Sequence, residues 1–367
     1  MSWARGGFRP LDAGGDAAAR RPYQFGRDRF HPVPKLGPCD VGRRDVLRWT
    51  MRNGGKLGTT WKSSLPAFFL HRVASVVHCW AVELAIEEIR AAVQAALIED
   101  VGPGDATTAA TVPAQARATA VMAARESLVL CGIAFAEETF RSLAPDAAIE
   151  CCCSDGDRVG AGEKILRIAG PAAGILTAER VALNFVQRLS GVATLAAQFV
   201  KAVSGTRAKI LDTRKTTPGW RRLEKYAVQC GGGVNHRFGL WDRILIKDNH
   251  LAALRNELPN AIAAAVRRAR EKFPQLLVEV EADTLEQVGQ AAAAGADIIL
   301  LDNMSVAELK ESVRIIAGRS RTEASGGVHL STVHGVAATG VDFISVGALT
   351  HSARAVDIGL DFEADAP

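Results

Sequence analysis

Six short apolar runs in the second half of the chain are each followed by residues with usable chemistry. Ala208–Leu211 leads into Asp212-Thr213-Arg214-Lys215-Thr216-Thr217-Pro218-Gly219, and Ile244–Ile246 into Lys247-Asp248-Asn249-His250. Leu276–Val280 is followed by Glu281, Ile298–Leu301 by Asp302, Thr322–Ala324 by Ser325-Gly326-Gly327, and Phe343–Val346 by Gly347. Between the first two runs stands Gly231-Gly232-Gly233-Val234-Asn235-His236-Arg237. The set combines a cationic cluster, two single carboxylates and two Gly-containing turns. Cations take up carboxylates and phosphates, and exposed backbone N–H groups in a turn cradle phosphate. Sparse carboxylates suit ribose hydroxyls, or Mg²⁺ completed by substrate phosphates. Ribosyl transfer from a pyrophosphate donor uses every part: carboxylates stabilise an oxocarbenium-like transition state, and cations with Mg²⁺ receive the anionic leaving group.

Each element also has a plainer reading. Arg214 and Lys215 as an isolated pair would be solvated surface charges; their place between a buried-looking strand and Pro-Gly argues for a site. Glu281 and Asp302 would each serve as a cap for a following helix, and Ser-Gly-Gly as a simple turn. Trp220 is either a pocket-mouth residue or a surface aromatic. His250, His329, His334 and His351 read as structural or surface residues. A barrel lyase using Lys215 or Lys247 as a Schiff-base nucleophile is a rival, but the neighbouring Arg214 and Arg237 favour charged, phosphate-facing lysines.

The elements that must position these residues follow from spacing. The markers Asp212, Lys247, Glu281, Asp302, Ser325 and Gly347 are 35, 34, 21, 23 and 22 residues apart. That is the cadence of βα units, and six in succession predict an α/β fold with a parallel barrel whose site lies at the strand C-termini. Upstream, Leu84, Ile86, Ile89, Val93 and Leu97 predict a helix. Arg117–Ala124 predicts a strand, and the Gly-rich stretch 154–162 predicts turns, as in a small mixed α/β domain. A long helix is expected over Thr177–Val203, with Gly191 as a weak point.

The 367 residues are 48% hydrophobic and 23% charged, which excludes a fibrous or wholly disordered chain. The net charge of +4 conceals an asymmetry: residues 1–80 hold 14 Lys+Arg against 5 Asp and no Glu. The basicity therefore belongs to a Gly/Pro-rich extension, expected to be poorly ordered, and is not a nucleic-acid footprint on the body. As a transit peptide the extension is Ser-poor and lacks an amphipathic helix. The seven Cys include the consecutive Cys151, Cys152 and Cys153, which no ordinary disulfide framework accommodates, so a reducing cytoplasm is expected. The apolar stretch from Leu65 to Ile86 is broken by His71, Arg72, His78 and Glu83, so no membrane anchor is expected.

Residues from about Ile86 to Phe362 resemble the quinolinate phosphoribosyltransferase family. The resemblance rests on EDVGPGDATT (99–108), RESLVLCGI (125–133), ERVALNFVQRLSGVAT (179–194), DTRKTTPGWRRLEKYAVQCGGGVNHRFGL (212–240), IKDNHL (246–251), EVE (279–281), LLDNMS (300–305), EASGGV (323–328) and VGALTHSA (346–353). It implies an open α/β barrel (186–350) with an N-terminal α/β sandwich domain (81–185) that residues 351–367 rejoin. It further implies conversion of quinolinate and 5-phosphoribosyl 1-pyrophosphate, with Mg²⁺, to nicotinate mononucleotide, pyrophosphate and carbon dioxide. Lys215, Lys247, Glu281 and Asp302 would be the catalytic residues, with Glu281 and Asp302 serving the ribose and, through donor and water, the metal. Thr213, Arg214, His236 and Arg237 would line the substrate pocket, and Ser325, Gly326, Gly327 and Gly347 would hold the 5′-phosphate. Arg125 would reach the pocket of a neighbouring subunit, implying a homodimer, with further assembly left open. The alternative is a paralogue that transfers to another small anionic acceptor. The extension and the Cys151–Cys153 run lie outside the family pattern.

Overall fold

A computed structural model of the chain describes residues 82–363; the expectations for residues 1–80 lie outside them. The strands are β1 (Arg117–Ala124), β2 (Leu128–Val129), β3 (Ala148–Cys151), β4 (Arg158–Val159), β5 (Lys164–Pro171), β6 (Lys209–Leu211), β7 (Ile244–Ile246), β8 (Val278–Ala282), β9 (Ile298–Asp302), β10 (Arg321–Ser325), β11 (Phe343–Ser345) and β12 (Ile358–Glu363). β12-β1-β5-β3 form an antiparallel sheet, and β2 pairs with β4. The C-terminal strand thus closes the sheet of the first half, with Thr119 opposite Glu363 and Ala124 opposite Ile358.

The six apolar runs become a parallel sheet in the order β6-β11-β10-β9-β8-β7. Its edge strands β6 and β7 do not pair with each other. A bridge from Leu211 to Val234 extends the β6 edge instead, the arrangement of an open barrel. Side chains alternate across each strand. Val278, Val280, Ala282, Ile299, Leu301, Ala324 and Ile344 belong to the apolar core. The alternate positions carry Glu279, Glu281, Asp302, Glu323 and Ser325. One face is held by apolar burial, which leaves the other free to carry polar groups.

The helix Ala172–Ala202 joins the two halves. Ile175, Ala178, Ala182 and Val186 pack into the core of the antiparallel sheet, whereas Phe185, Leu189, Val192 and Ala196 pack into that of the parallel sheet. It starts five residues earlier than its apolar periodicity predicts, directly after Pro171. The division expected at 185/186 falls inside it. The helix continues through Gly191, where a Cβ would lie 1.9 Å from the Arg354 carbonyl oxygen, so glycine lets the segment before β12 pass against the helix. Upstream, the helix Ile86–Val101 buries Ile89, Val93 and Leu97, one face at i, i+4, i+8 spacing. Among the described residues no helix is long and apolar enough to cross a membrane.

Candidate active site

Thr213, Arg214, Lys215, Lys247, Glu281, Asp302, Ser325 and Gly347 all stand at the C-terminal ends of the parallel strands, or one to four residues beyond them. Register makes several of them neighbours: Ser325 lies opposite Asp302, and Ile246 opposite Val280 brings Lys247 beside Glu281. Lys247 Nζ and Glu281 form an ion pair. The Lys215 backbone N–H donates to Thr213 Oγ1 at 3.0 Å, which shapes the cationic loop. Lys215 itself is exposed and Arg214 half-buried. Arg214 Nε is buried and has no hydrogen-bond partner among the described residues. An orphaned charged donor at a rim is poised for an anionic ligand.

The plainer readings of the carboxylates fail on geometry. The helices after β8 and β9 are capped by Thr284, whose side chain accepts from the Gln287 N–H, and by Ser305, which accepts from the Glu308 N–H. Glu281 and Asp302 are therefore left at the rim, Asp302 accepting from Asn303 Nδ2 at 2.7 Å. Trp220 is half-buried and stacks on Phe185 at 5.3 Å, which stacks on Phe135 at 4.9 Å.

The turn at Ser325-Gly326-Gly327 is not the start of a helix, because the next helix begins at Val333. Both glycines are left-handed, with φ of +93° and +57°. A Cβ on Gly326 would also lie 2.1 Å from Asn303 Oδ1, so a side chain there is excluded twice. At the other turn, a Cβ on Gly347 would lie 3.0 Å from Lys215 Cδ and 3.2 Å from His351 Nε2. His351, read from sequence as a structural or surface residue, is exposed and adjoins the second glycine turn.

Beneath the rim lies a buried polar layer. Asp212 and Lys225 are fully buried and paired. Asp212 also accepts from Asn235 Nδ2 at 2.7 Å and from the His236 N–H at 2.8 Å, and Lys225 Nζ donates to the His236 carbonyl at 2.9 Å. Burial raises the Asp212 pKa and lowers that of Lys225, in each case against the pull of the partner charge. His236 is 6% exposed and its ring points into this layer. Its Nδ1 accepts the Arg237 N–H at 2.7 Å, and its Nε2 lies 3.2 Å from Glu279 and 3.5 Å from Glu323. Arg243 Nη1 reaches Glu279 at 3.3 Å. Although burial opposes it, the His236 and Arg243 charges hold Glu279 down at about 2. Burial and the Glu279 charge push Glu323 up to about 7. Burial, then the Arg214 charge, lowers the Arg237 pKa.

The structure thus brings most of the sequence-selected residues to one rim, with His236 seated below it. Arg125 is elsewhere: it pairs with Asp361 on β12 at 2.5 Å and lies against Gly359. Asp212, Lys225, Glu279 and Glu323 were missed as parts of the site. The period-2 alternation of carboxylates in Val278-Glu279-Val280-Glu281 is the signal that reveals a polar strand face.

Residues 105–190 and 192–361 match the family models for the N-terminal and C-terminal domains of quinolinate phosphoribosyl transferase. The chain is 45% identical over 280 residues to the nicotinate-nucleotide pyrophosphorylase [carboxylating] of Mycobacterium leprae, covering 74% of this chain and 96% of the relative. It is 42% identical over 265 residues to the probable enzyme of that name in Bacillus subtilis, covering 72% and 90%. The solved nicotinate-nucleotide pyrophosphorylase of Francisella tularensis superposes with a TM-score of 0.72 at 41% identity, over 77% of this chain and 99% of that one. On sequence and fold together, the chain belongs to the quinolinate phosphoribosyltransferase family.

Proposed function

We propose that the chain transfers the ribosyl phosphate of 5-phosphoribosyl 1-pyrophosphate to the ring nitrogen of quinolinate, releasing pyrophosphate and carbon dioxide and yielding nicotinate mononucleotide. The observation that carries this reading is the gathering of Arg214, Lys215 and Lys247 with two uncapping carboxylates and two glycine turns at one barrel rim. A quinolinate dianion and a polyanionic donor repel each other, and the three cations offset that repulsion. Thr213, Arg214 and Arg237 bind the acceptor side. His236, buried beneath, seats Arg237 through the bond from its N–H. Ser325, Gly326, Gly327 and Gly347 take the 5′-phosphate on backbone N–H groups.

Glu281 and Asp302 fit a Mg²⁺ ion held mainly by the donor. They stand on adjacent strand ends, and among the described residues no third ligand closes a ready cage around them. When bound, the ion supplies positive charge to the departing pyrophosphate. The two carboxylates also face the charge that develops on the ribose. Lys247, paired with Glu281, acts as a cation rather than as a Schiff-base nucleophile. Ribosylation makes the ring nitrogen cationic, so loss of the 2-carboxylate follows transfer: the bond to the carboxyl carbon breaks, its electrons remain on the ring carbon stabilised by the adjacent cation, and a proton replaces the carbon dioxide.

Arg125, exposed on the antiparallel sheet, is assigned to the pocket of a second copy, which makes the working unit a homodimer. The described cysteines are free thiols, in keeping with a reducing cytoplasm.

The test is an assay of the purified chain with quinolinate, the donor and Mg²⁺, following nicotinate mononucleotide and carbon dioxide together, with nicotinate as control acceptor. Equal amounts of both products from quinolinate alone are expected. No product from folded protein would reassign the scaffold to another acceptor, and nicotinate released without ribosylation would reverse the order of steps.

A further inference from the structure

We propose that Arg188 is a positioning residue for this reaction, holding the Lys215 loop and the Gly347 turn at a fixed separation through Glu224 and Thr350. The inference rests on the assignment of those two loops to the donor and acceptor. Arg188 belongs to neither loop, nor to any barrel strand: it projects from the middle of the helix Ala172–Ala202. Its Nη2 donates to Glu224 Oε1 at 3.0 Å and to the Thr350 carbonyl at 2.8 Å, while its Nη1 donates to the Ala353 carbonyl. One guanidinium therefore grips a helix of the barrel and the segment after β11 together.

Both acceptors pass the constraint on to the rim. The Glu224 side chain is fully buried, and its carboxylate accepts from the Thr217 hydroxyl at 2.8 Å and the Thr217 N–H at 3.0 Å, two residues beyond Lys215. Thr350, also fully buried, donates its hydroxyl to the Lys215 carbonyl at 2.7 Å, with the Gly347 carbonyl 3.2 Å away. Lys215 and the Gly347 turn are close enough that a single added Cβ would touch the lysine. The groups proposed to hold the donor phosphate and to offset the acceptor charge thus share one support. Without Arg188, the buried Glu224 carboxylate and the Thr350 carbonyl each lose a donor and must shift to regain one. The Lys215 loop shifts with them.

Kinetics of Arg188→Gln, with both substrates varied, test this. A displacement of about 1 Å at reacting groups costs on the order of 100-fold in rate. The expected result is a fall of about 100-fold in kcat/KM, with a raised donor KM and with quinolinate binding, measured calorimetrically without donor, weakened as well, because the displaced loop also carries Thr213 and Arg214. An arginine that merely held the fold together would reduce the active fraction and leave both KM values unchanged. Arg188→Lys should stay close to the Gln variant, because one ammonium cannot reproduce the planar fork across three acceptors. Thr350→Val removes the hydroxyl that links to the Lys215 and Gly347 carbonyls and leaves the bonds of Arg188 in place; it should raise the donor KM, and combined with Arg188→Gln it should cost less than the product of the two single effects. A folded Arg188→Gln with wild-type donor KM overturns the proposal. If that variant does not fold, an unchanged donor KM in Thr350→Val overturns it. Wild-type protein inactive toward quinolinate and donor would refute the substrate assignment instead, which separates the two failures.

Discussion

The rim and the layer beneath it use the same residue types in opposite ways. At the rim, Lys215 is exposed and Arg214, Lys247, Glu281 and Asp302 are half-buried, with Arg214 Nε left without a partner among the described residues. Below, Asp212, Lys225, Glu279 and Glu323 have no exposed surface, and each lies within ion-pair distance of a group of opposite sign. A charge at the rim is available to a ligand because water can solvate it until the ligand arrives. A charge in the lower layer has lost that water, so it must find its partner in the protein, and the partner fixes its place. Binding capacity thus sits above, and positional order below.

Three substitutions can break or sharpen this contrast. The largest effect is expected from Lys225→Met, which leaves Asp212 buried without its cation. Removing one partner of a buried pair costs about 3–5 kcal/mol. A urea titration should show that loss in midpoint, and Asp212→Asn added to Lys225→Met should recover part of it. A stability unchanged by Lys225→Met would mean that the lower layer is not held by its pairing. Lys215→Ala is the converse case. Its side chain is exposed, and among the described residues no carboxylate pairs with it. Turnover should fall about 100- to 1000-fold, the scale of losing one preorganised charge-stabilising donor, while the thermal transition moves by less than about 2 °C. Unchanged turnover would remove Lys215 from the chemistry.

Much of this was legible before the structure. The six marker residues fall at strand ends because apolar runs of three to five residues followed by polar ones are what buried parallel strands look like. Arg117–Ala124 is a strand over the residues expected from sequence. What was lost is instructive. Glu279 and Glu323 sit inside runs read as apolar, and a carboxylate in a strand looks like an interruption until register shows that it shares a face with His236. Gly191 reads as a weak point because the segment at Arg354–Ala355 that needs its missing side chain lies more than 160 residues away in sequence. That the His236 ring lies 3.2 Å from Glu279 and 3.5 Å from Glu323 is equally hidden, because position along the chain does not reveal which way a ring turns. Trp220 stayed ambiguous for the same reason: its partners Phe185 and Phe135 come from other segments.

Glu323→Gln gives the smallest and most specific effect. Burial, and then the negative charge of Glu279, favour the neutral acid and move the Glu323 pKa from 4.5 to about 7. The folded protein therefore holds this proton more tightly than the unfolded chain does. The resulting stabilisation is full below about pH 4.5 and is lost as pH rises through 7, because the folded state must then either ionise a buried carboxyl or keep a proton that the unfolded state has already released. Glutamine cannot ionise and suffers no such loss. Between pH 6 and pH 8 the stability of Glu323→Gln relative to wild type should thus rise by about 1 kcal/mol. Glu279, held down at about 2, has the opposite sign, and its contribution fades only as pH falls below the usual carboxylate range, outside this window. Parallel pH profiles of thermal denaturation for the two proteins are the measurement. Profiles that stay parallel from pH 6 to 8 would show Glu323 ionised in the native protein, with His236 and Arg243 together offsetting both carboxylates, and the lower layer would then be fully charged rather than one that stores a proton.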